Sequence, residues 1–473
     1  MKGKKFNKLL LLALSAVMVL VSGCNPGPSK QAETQRVIKV MYYDESYFFQ
    51  QYGDLFTMEH PNVDIEVVNT QSIYSGEEVK DYNKALMDFI EKEQPDVVML
   101  NPETYGKMAN EGKLMELDTL IDRDKYNTET IYPALLEMLK EKGNGKLYGL
   151  SPTFSGNAIF YNADLFKKYG VEPPHDGMTW QEVLELARRF PAEGDEKTRV
   201  YGYGADYATT FVQLGQQIAA AEGLSVFNKD TLKVTIDTDS WKKAYQTALD
   251  ATNSGAVYNP KDGGFQGGSM EEYYKSQMFL MGRIALTVGN TYILQSIKEV
   301  KGALKDYKPF ELGMVAGPVD PANPETTRSI YFNEILGIRA GSPNADAAWD
   351  FIKFINGEDY AKVKSRSLNN GLLSRMGFSK EFDGHSLDVF YKLKPKVSDD
   401  DYSLSEKVPT EFYQQFDSIM QRELGLVQDK KKSLDDALKA AQQEAQVTLD
   451  KAVKDKEAKK DKEGAAGAGE GTK

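Results

Sequence analysis

Apolar positions along this chain switch repeatedly between a period of two and a period near 3.6, the signatures of strands and helices. Val37 to Tyr43 (VIKVMYY) is a β-rich run, and Ser46 to Glu59 carries Phe48, Leu55 and Phe56 at helical spacing. From Val63 to Val68 the residues Val63, Ile65 and Val67 fall on one face, as in a strand. From Glu77 to Glu91, Val79, Tyr82, Leu86, Phe89 and Ile90 form a helical stripe, and Gln94 to Leu100 (QPDVVML) reads as a short buried strand. Strand, helix, strand, helix, strand in succession predicts parallel pairing with helices on both faces of a sheet, so the expected fold class is α/β.

Later segments repeat the pattern. Thr179 and Glu182 form a T-x-x-E capping box that opens a helix over Trp180 to Phe190, with Val183, Leu184 and Ala187 on one face. Ile284 to Val288 (IALTV) predicts a strand followed by a helix from Asn290. Phe332 to Ile338 predicts another strand, followed by a helix from Ser342 to Asn356. Ser433 with Asp436 predicts the cap of a long C-terminal helix through Leu434, Leu438, Ala441 and Leu449. No internal repeat of fixed period is present.

The chain start obeys neither period. Lys2, Lys4, Lys5 and Lys8 introduce a 13-residue apolar run from Leu9 to Val21. A bilayer span takes about 20 residues, so this run suits the core of a signal peptide instead. It ends in Val21-Ser22-Gly23-Cys24, which looks like a bacterial lipobox with Cys24 as the lipidated first residue. Residues 1–23 are therefore expected to be a lipoprotein signal peptide. Residues 24–35, rich in Pro, Gly and polar side chains, read as a flexible tether, and 451–473, Lys/Glu-rich before GAAGAGEGTK, as a disordered tail. Cys24 is the single cysteine, so the mature domain has no disulfide, no thiolate nucleophile and no cysteine metal site. Its stability must come from core burial, and its length exceeds what one core organises, which points to two lobes.

Net charge is −12, or −16 without the four lysines of the leader. A nucleic-acid binder presents a basic face to phosphates; this balance argues against one and for a soluble, self-repelling surface. Catalytic signatures are equally scarce. His60 (EHP), His175 (PPHDG) and His385 (DGHS) sit among turn residues, and no two have metal-ligand spacing. G-x-S-x-G, H-E-x-x-H and P-loop motifs are absent. Gly202-Tyr203-Gly204 lacks the third glycine of a dinucleotide fingerprint, and Gly263 to Gly268 (GGFQGG) reads as a mobile loop. The expectation is neither an enzyme nor a holder of metal or cofactor. Carboxylates are abundant, however, so a glycosidase pair roughly 5–9 Å apart stays open on composition.

Five blocks in sequence order carry a resemblance. They are Phe56 to Val68 (FTMEHPNVDIEVV), Gln94 to Leu117, Gly145 to Phe190 (with GKLYGL, IFYNADLFKKYGV and TWQEVLELARR), Gly282 to Leu294 (GRIALTVGNTYIL) and Leu336 to Ile355 (LGIRAGSPNADAAWDFIKFI). Together they resemble the family 1 extracellular solute-binding proteins of ABC importers, which include maltodextrin- and other oligosaccharide-binding lipoproteins, over nearly the whole mature chain. The resemblance implies a two-lobe, periplasmic-binding-protein-like fold of type II, each lobe a mostly parallel sheet flanked by helices, with the ligand cleft between them. It implies three crossings, near Ser151 to Gly156, Asn333 to Leu336 and Gly371 to Ser374. The N-terminal lobe is then 36–152 plus 337–371 and the C-terminal lobe 153–336 plus 372–450. The implied function is a monomeric carbohydrate-binding component, held outside the cytoplasm by palmitate-class lipid on Cys24, that closes on an oligosaccharide and delivers it to the permease transmembrane subunits. A secreted polysaccharide-acting enzyme and a solute-sensing lipoprotein that docks a signalling receptor are the alternatives.

In open α/β sheets ligands sit at the carboxyl ends of strands. Within the implied frame that rule selects Tyr43, Asp44 and Glu45 after the first strand, and Asn101 and Glu103 after VVML. It selects Ser155 and Asn157 at the first crossing, and Asn290 and Tyr292 after IALTV. The resemblance adds Asp206 and Tyr207, where similar proteins put a polar-aromatic pair, Tyr331 and Asn333 at the second crossing, and Arg375 after the third. Tyr292 falls where the family places a sugar-stacking aromatic, usually tryptophan. A pyranose has an apolar C–H face and a ring of hydroxyls, which aromatic rings and Asp, Glu, Asn or Arg side chains complement. Plainer roles compete: Tyr292 as interlobe packing, Asp44 as a helix cap and Arg375 as a surface ion pair. Trp180, Trp241 and Trp349 read as core.

Overall fold

The computed structural model describes residues 35–74, 82–195, 198–205, 209–259, 265–396 and 407–469. The leader and, but for residue 35, the tether lie outside these residues. Three sheets carry the architecture. The first contains β1 (Arg36–Tyr42), β2 (Val63–Asn69), β3 (Val97–Leu100), β4 (Gly149–Leu150) and β12 (Ile335–Ile338), in the order β2-β1-β3-β12-β4. The second contains β6 (Ala158–Asn162), β7 (Tyr201–Tyr203), β8 (Ile284–Gly289) and β9 (Leu312–Val315), in the order β7-β8-β6-β9. Between them lies a small antiparallel sheet of β5 (Thr153–Ser155), β11 (Tyr331–Phe332) and β13 (Leu372–Leu373), in which β5 pairs with both others. A short strand β10 (Thr326–Thr327) pairs separately with Lys394–Pro395.

In strand direction the sheets are mostly parallel, with one exception in each. In the first sheet β1 is parallel to β2 and β3, but β12 is antiparallel to both its neighbours. In the second, β7 and β8 are parallel and β6 is antiparallel to β8 and β9. Each sheet thus has one reversed strand, and in each it is the strand that follows a crossing directly: β6 after β5, and β12 after β11. A βαβ unit returns the chain in its original direction, whereas a strand entering from the crossing sheet must run away from it. The remaining strands run towards the crossing, so their carboxyl ends gather there.

Local chemistry accounts for the helices. The run expected over Ser46 to Glu59 is helical from Glu45 to Glu59 but widens to a π turn at Phe49–Gly53. A Cβ on Gly53 would lie 2.5 Å from the Phe49 ring, so the bulge needs glycine there. The Thr179–Glu182 capping box forms as the sequence predicts. Gly202 has a packing reason rather than a phosphate: its Cβ would meet the Ala187 carbonyl of the helix Trp180–Ala187. All three tryptophans are buried.

Two long helices, Thr410–Gln428 and Leu434–Gly469, close the second lobe. Ser433 caps the latter, its Oγ accepting from the Asp436 N–H at 3.1 Å. Leu438, Ala441, Ala445 and Leu449 are fully buried along one face, and each buried leucine contributes about 1.5–3 kcal/mol. Gln442 and Gln446 accept hydrogen bonds from the Asp237 and Val234 N–H groups, at 2.9 and 2.8 Å. The helix continues to Gly469, past Lys451 where disorder was expected to begin.

Candidate functional site

Two adjoining cavities open beside the crossing sheet, with volumes of 370 and 550 Å3. The first lies between Gln51 and Tyr52 of the π turn, Glu334 between β11 and β12, and Gln295 of the helix Tyr292–Ala303. The second is bordered by Asn157, Trp180, Arg328 and Tyr331. Asn290 and Tyr292 line both.

The crossings are tied together by one side chain. Asn333 Oδ1 accepts from Ser155 Oγ at 2.7 Å, and its Nδ2 donates to the Asn370 carbonyl at 2.7 Å and to Thr153 Oγ1 at 3.2 Å. Asn333 and Glu334 interrupt the single strand expected over Phe332 to Ile338, because the chain leaves the crossing sheet at this point and enters the first sheet two residues later. Gly371, at φ +86°, occupies the third crossing, where a Cβ would strike the Phe154 carbonyl at 2.5 Å.

Glu334 is only partly exposed. Its Oε1 accepts from the Tyr42 hydroxyl at 2.6 Å and its Oε2 from the Tyr52 hydroxyl at 2.7 Å. Burial pushes this carboxyl above the ordinary glutamate value, and the two phenols pull it partly back. The folded state therefore holds the Glu334 proton more tightly than the unfolded chain does. That stability is fully present below the ordinary value of 4.5 and is lost as pH rises through the raised one. Urea midpoints of Glu334→Gln and the parent protein should diverge in the variant's favour from mildly acidic to neutral pH. A gap that stays constant with pH would contradict this assignment.

The predicted site residues divide. Ser155, Asn157, Asn290, Tyr292, Tyr331 and Asn333 line one or both cavities, and Tyr292 and Tyr331 are 49% and 47% exposed. Tyr43 stands outside the lining, its ring 4.6 Å from that of Tyr42, and burial pushes its hydroxyl up to about 12. Asp44 is the cap of the helix Glu45–Phe48, accepting from the Tyr47 N–H at 2.7 Å, and Glu45 is an exposed residue of its first turn. Asn101 likewise caps the helix Pro102–Asn110, with Glu103 in its first turn. Neither lines either cavity; at the end of β3 the neighbouring strand β12 begins, Ile335 beside Leu100. Asp206 and Tyr207 lie outside the described residues.

Arg375 is a correction. It is only 4% exposed and lines neither cavity. Its guanidinium donates to the Asn356 and Asn127 carbonyls at 2.6 and 2.8 Å and to Thr130 Oγ1, with the Tyr126 ring centre 5.2 Å away. A bridge between Ile131 and Arg375 holds the residue against the segment 127–131 instead of the cleft. Sequence reasoning missed Gln51, Tyr52, Gln295, Glu334, Asn370 and Arg328. The first two depend on a π turn that no periodicity announces. Glu334 and Gln295 had a usable signal, each close to a residue already selected.

Residues 43–362 match the family of bacterial extracellular solute-binding proteins. The chain belongs to this family. The solute-binding protein is 23% identical over 385 residues to the maltodextrin-binding protein MdxE of Bacillus subtilis, covering 77% of this chain and 84% of that one. Among solved structures, a family 1 extracellular solute-binding protein from Alicyclobacillus acidocaldarius superposes with a TM-score of 0.62 at 15% identity, covering 89% of this chain and all of that one. The ABC substrate-binding protein Lmo0181 from Listeria monocytogenes, in complex with cycloalternan, gives a TM-score of 0.56 at 20% identity, covering 88% and 99%. These likenesses establish the two-lobe fold, and the cleft described above lies between the lobes of this solute-binding protein. Among the described residues, no helix is long and apolar enough to cross a membrane.

Proposed function

We propose that this solute-binding protein captures an oligosaccharide by hinge closure and delivers it to the transmembrane subunits of an ABC permease. The observation that carries the reading is Tyr292, half exposed and shared by both cavities, surrounded by the amides of Asn290, Gln295, Asn333 and Asn370. An exposed aromatic face costs free energy in water unless a ligand covers it, and an apolar sugar face does so while its hydroxyls engage the amides. The binding of maltodextrin and of cycloalternan by similar proteins supports the same class of ligand. In this reading the lobes are 36–152 plus 337–371 and 153–336 plus 372–450, moving about the three crossing strands. A closed form is favoured only by as much as the solute binds it better. Tyr43 joins the site on closure.

Binding without hydrolysis is the second part of the proposal. Among the described lining residues Glu334 is the one carboxylate, whereas glycoside hydrolysis by paired acids needs two. A thermal-shift screen against a broad glycan panel tests the reading. A bound glycan at 100 times its Kd should add about 2.7 kcal/mol of stability, with no new reducing ends after prolonged incubation. Stabilisation by no glycan, or turnover of one, overturns it. The protein is further proposed to act as a monomer anchored through lipid on Cys24. Light scattering should return the mass of one chain, and Cys24→Ala should shift the protein from the membrane pellet to the medium. A parent protein already free in the medium would refute the anchor.

A further inference from the structure

We infer that the chamber floored by Glu334 takes a cationic group, so that the preferred solute is an amino-sugar oligomer carrying a free ammonium. The inference rests on the carbohydrate reading and narrows it.

Glu334 is a carboxylate set into the wall of a ligand-sized cavity with no cation to balance it. Among the described residues no Lys, Arg or His forms an ion pair with it; its hydrogen-bond partners are the Tyr42 and Tyr52 phenols. Both tyrosines are themselves buried, at 0% and 2% exposure, so their hydroxyls are fixed on the carboxylate. Each carboxylate oxygen accepts one of these bonds and has a further lone pair. The rest of the described lining is neutral: amides, hydroxyls, and the rings of Tyr47 and Tyr292. Lys364 donates to the Gln50 carbonyl at 3.2 Å and to Oε1 of the lining residue Gln51 at 3.4 Å, with its Nζ 5.7 Å from the Tyr360 ring centre, and forms no ion pair with Glu334. The other charged lining residue, Arg328, belongs to the second cavity.

A buried carboxylate held by neutral donors carries an uncompensated desolvation cost, which an opposite charge brought by the ligand relieves. Aromatic faces beside it favour a cation again, through their ring quadrupoles. A sugar hydroxyl can donate to the same oxygen but brings no charge. The preference for ammonium over hydroxyl is therefore the quantity to measure.

Calorimetry on the full chain should compare glucosamine trimer with free amines, its N-acetylated form, cellotriose and maltotriose, at a pH where the amines are protonated. The free-amine trimer should bind at least about tenfold more tightly than cellotriose, since a bond between two charges is stronger than one to a neutral donor. Glu334→Gln should bring that ratio close to one, and a ratio that stays at tenfold in the folded variant overturns the inference. A neutral or acetylated trimer that binds as tightly as the free amine overturns the inference and leaves the carbohydrate reading intact. No binding of any saccharide, here or in the wider panel, removes both. Should Glu334→Gln fail to fold, the ratio measured on the parent protein decides alone.

Discussion

Tyr292→Ala should remove most of the ligand-induced rise in melting temperature while leaving the ligand-free value within about 1–2 °C of the parent, as expected for an exposed position. Half the residue is exposed without solute, so truncation opens no cavity. The bond from the Tyr292 N–H to Asn290 Oδ1 at 2.9 Å survives in alanine. What disappears is the ring bordering both cavities. Aromatic stacking contributes about 0.5–1.5 kcal/mol beyond the area it buries. With the apolar contact included, affinity should fall by at least about tenfold. The comparison needs one glycan from the panel and two melting curves per protein. A large drop in the ligand-free curve would make Tyr292 a packing residue and remove it from the site.

Arg375→Ala should do the reverse. Its guanidinium satisfies two carbonyls and a hydroxyl away from the cleft and lies over the Tyr126 ring. Charge-assisted hydrogen bonds contribute about 1.5–3 kcal/mol each, and removing one member of a buried network strands the others. A loss of about 3–5 kcal/mol, read from urea unfolding, is the expected cost. Glycan affinity per folded molecule should not change. A loss below about 1 kcal/mol would place Arg375 among ordinary surface residues.

These two residues show where the sequence was readable. Tyr292 was selected because a strand signal, IALTV, fixes where its carboxyl end must lie, and strand ends are local; the residue lines both cavities. Arg375 was misassigned because its position after the third crossing was right while its direction depends on Asn127, Thr130 and Asn356, partners distant in the chain. Asp44 and Asn101 were selected by the same strand-end rule that found Tyr292, yet both cap helices. The rule gives the end of the strand but not which loops the crossing sheet displaces. The fold class was legible from alternation of periods. The reversed strands were not, because a strand's direction is set by the lobe it comes from, and no periodicity records that.

The place of β12 in the middle of the first sheet has a temporal meaning. β4 is held in that sheet through β12 alone, Leu150 beside Leu336. A polypeptide emerging from its amino end has made β1 to β4 long before it has made their missing neighbour. Until then β3 presents bare backbone donors and acceptors along one side, the condition that invites wrong partners. The second sheet has all its strands by Val315, the first only at Ile338. In assembly, the sheet that starts first finishes last.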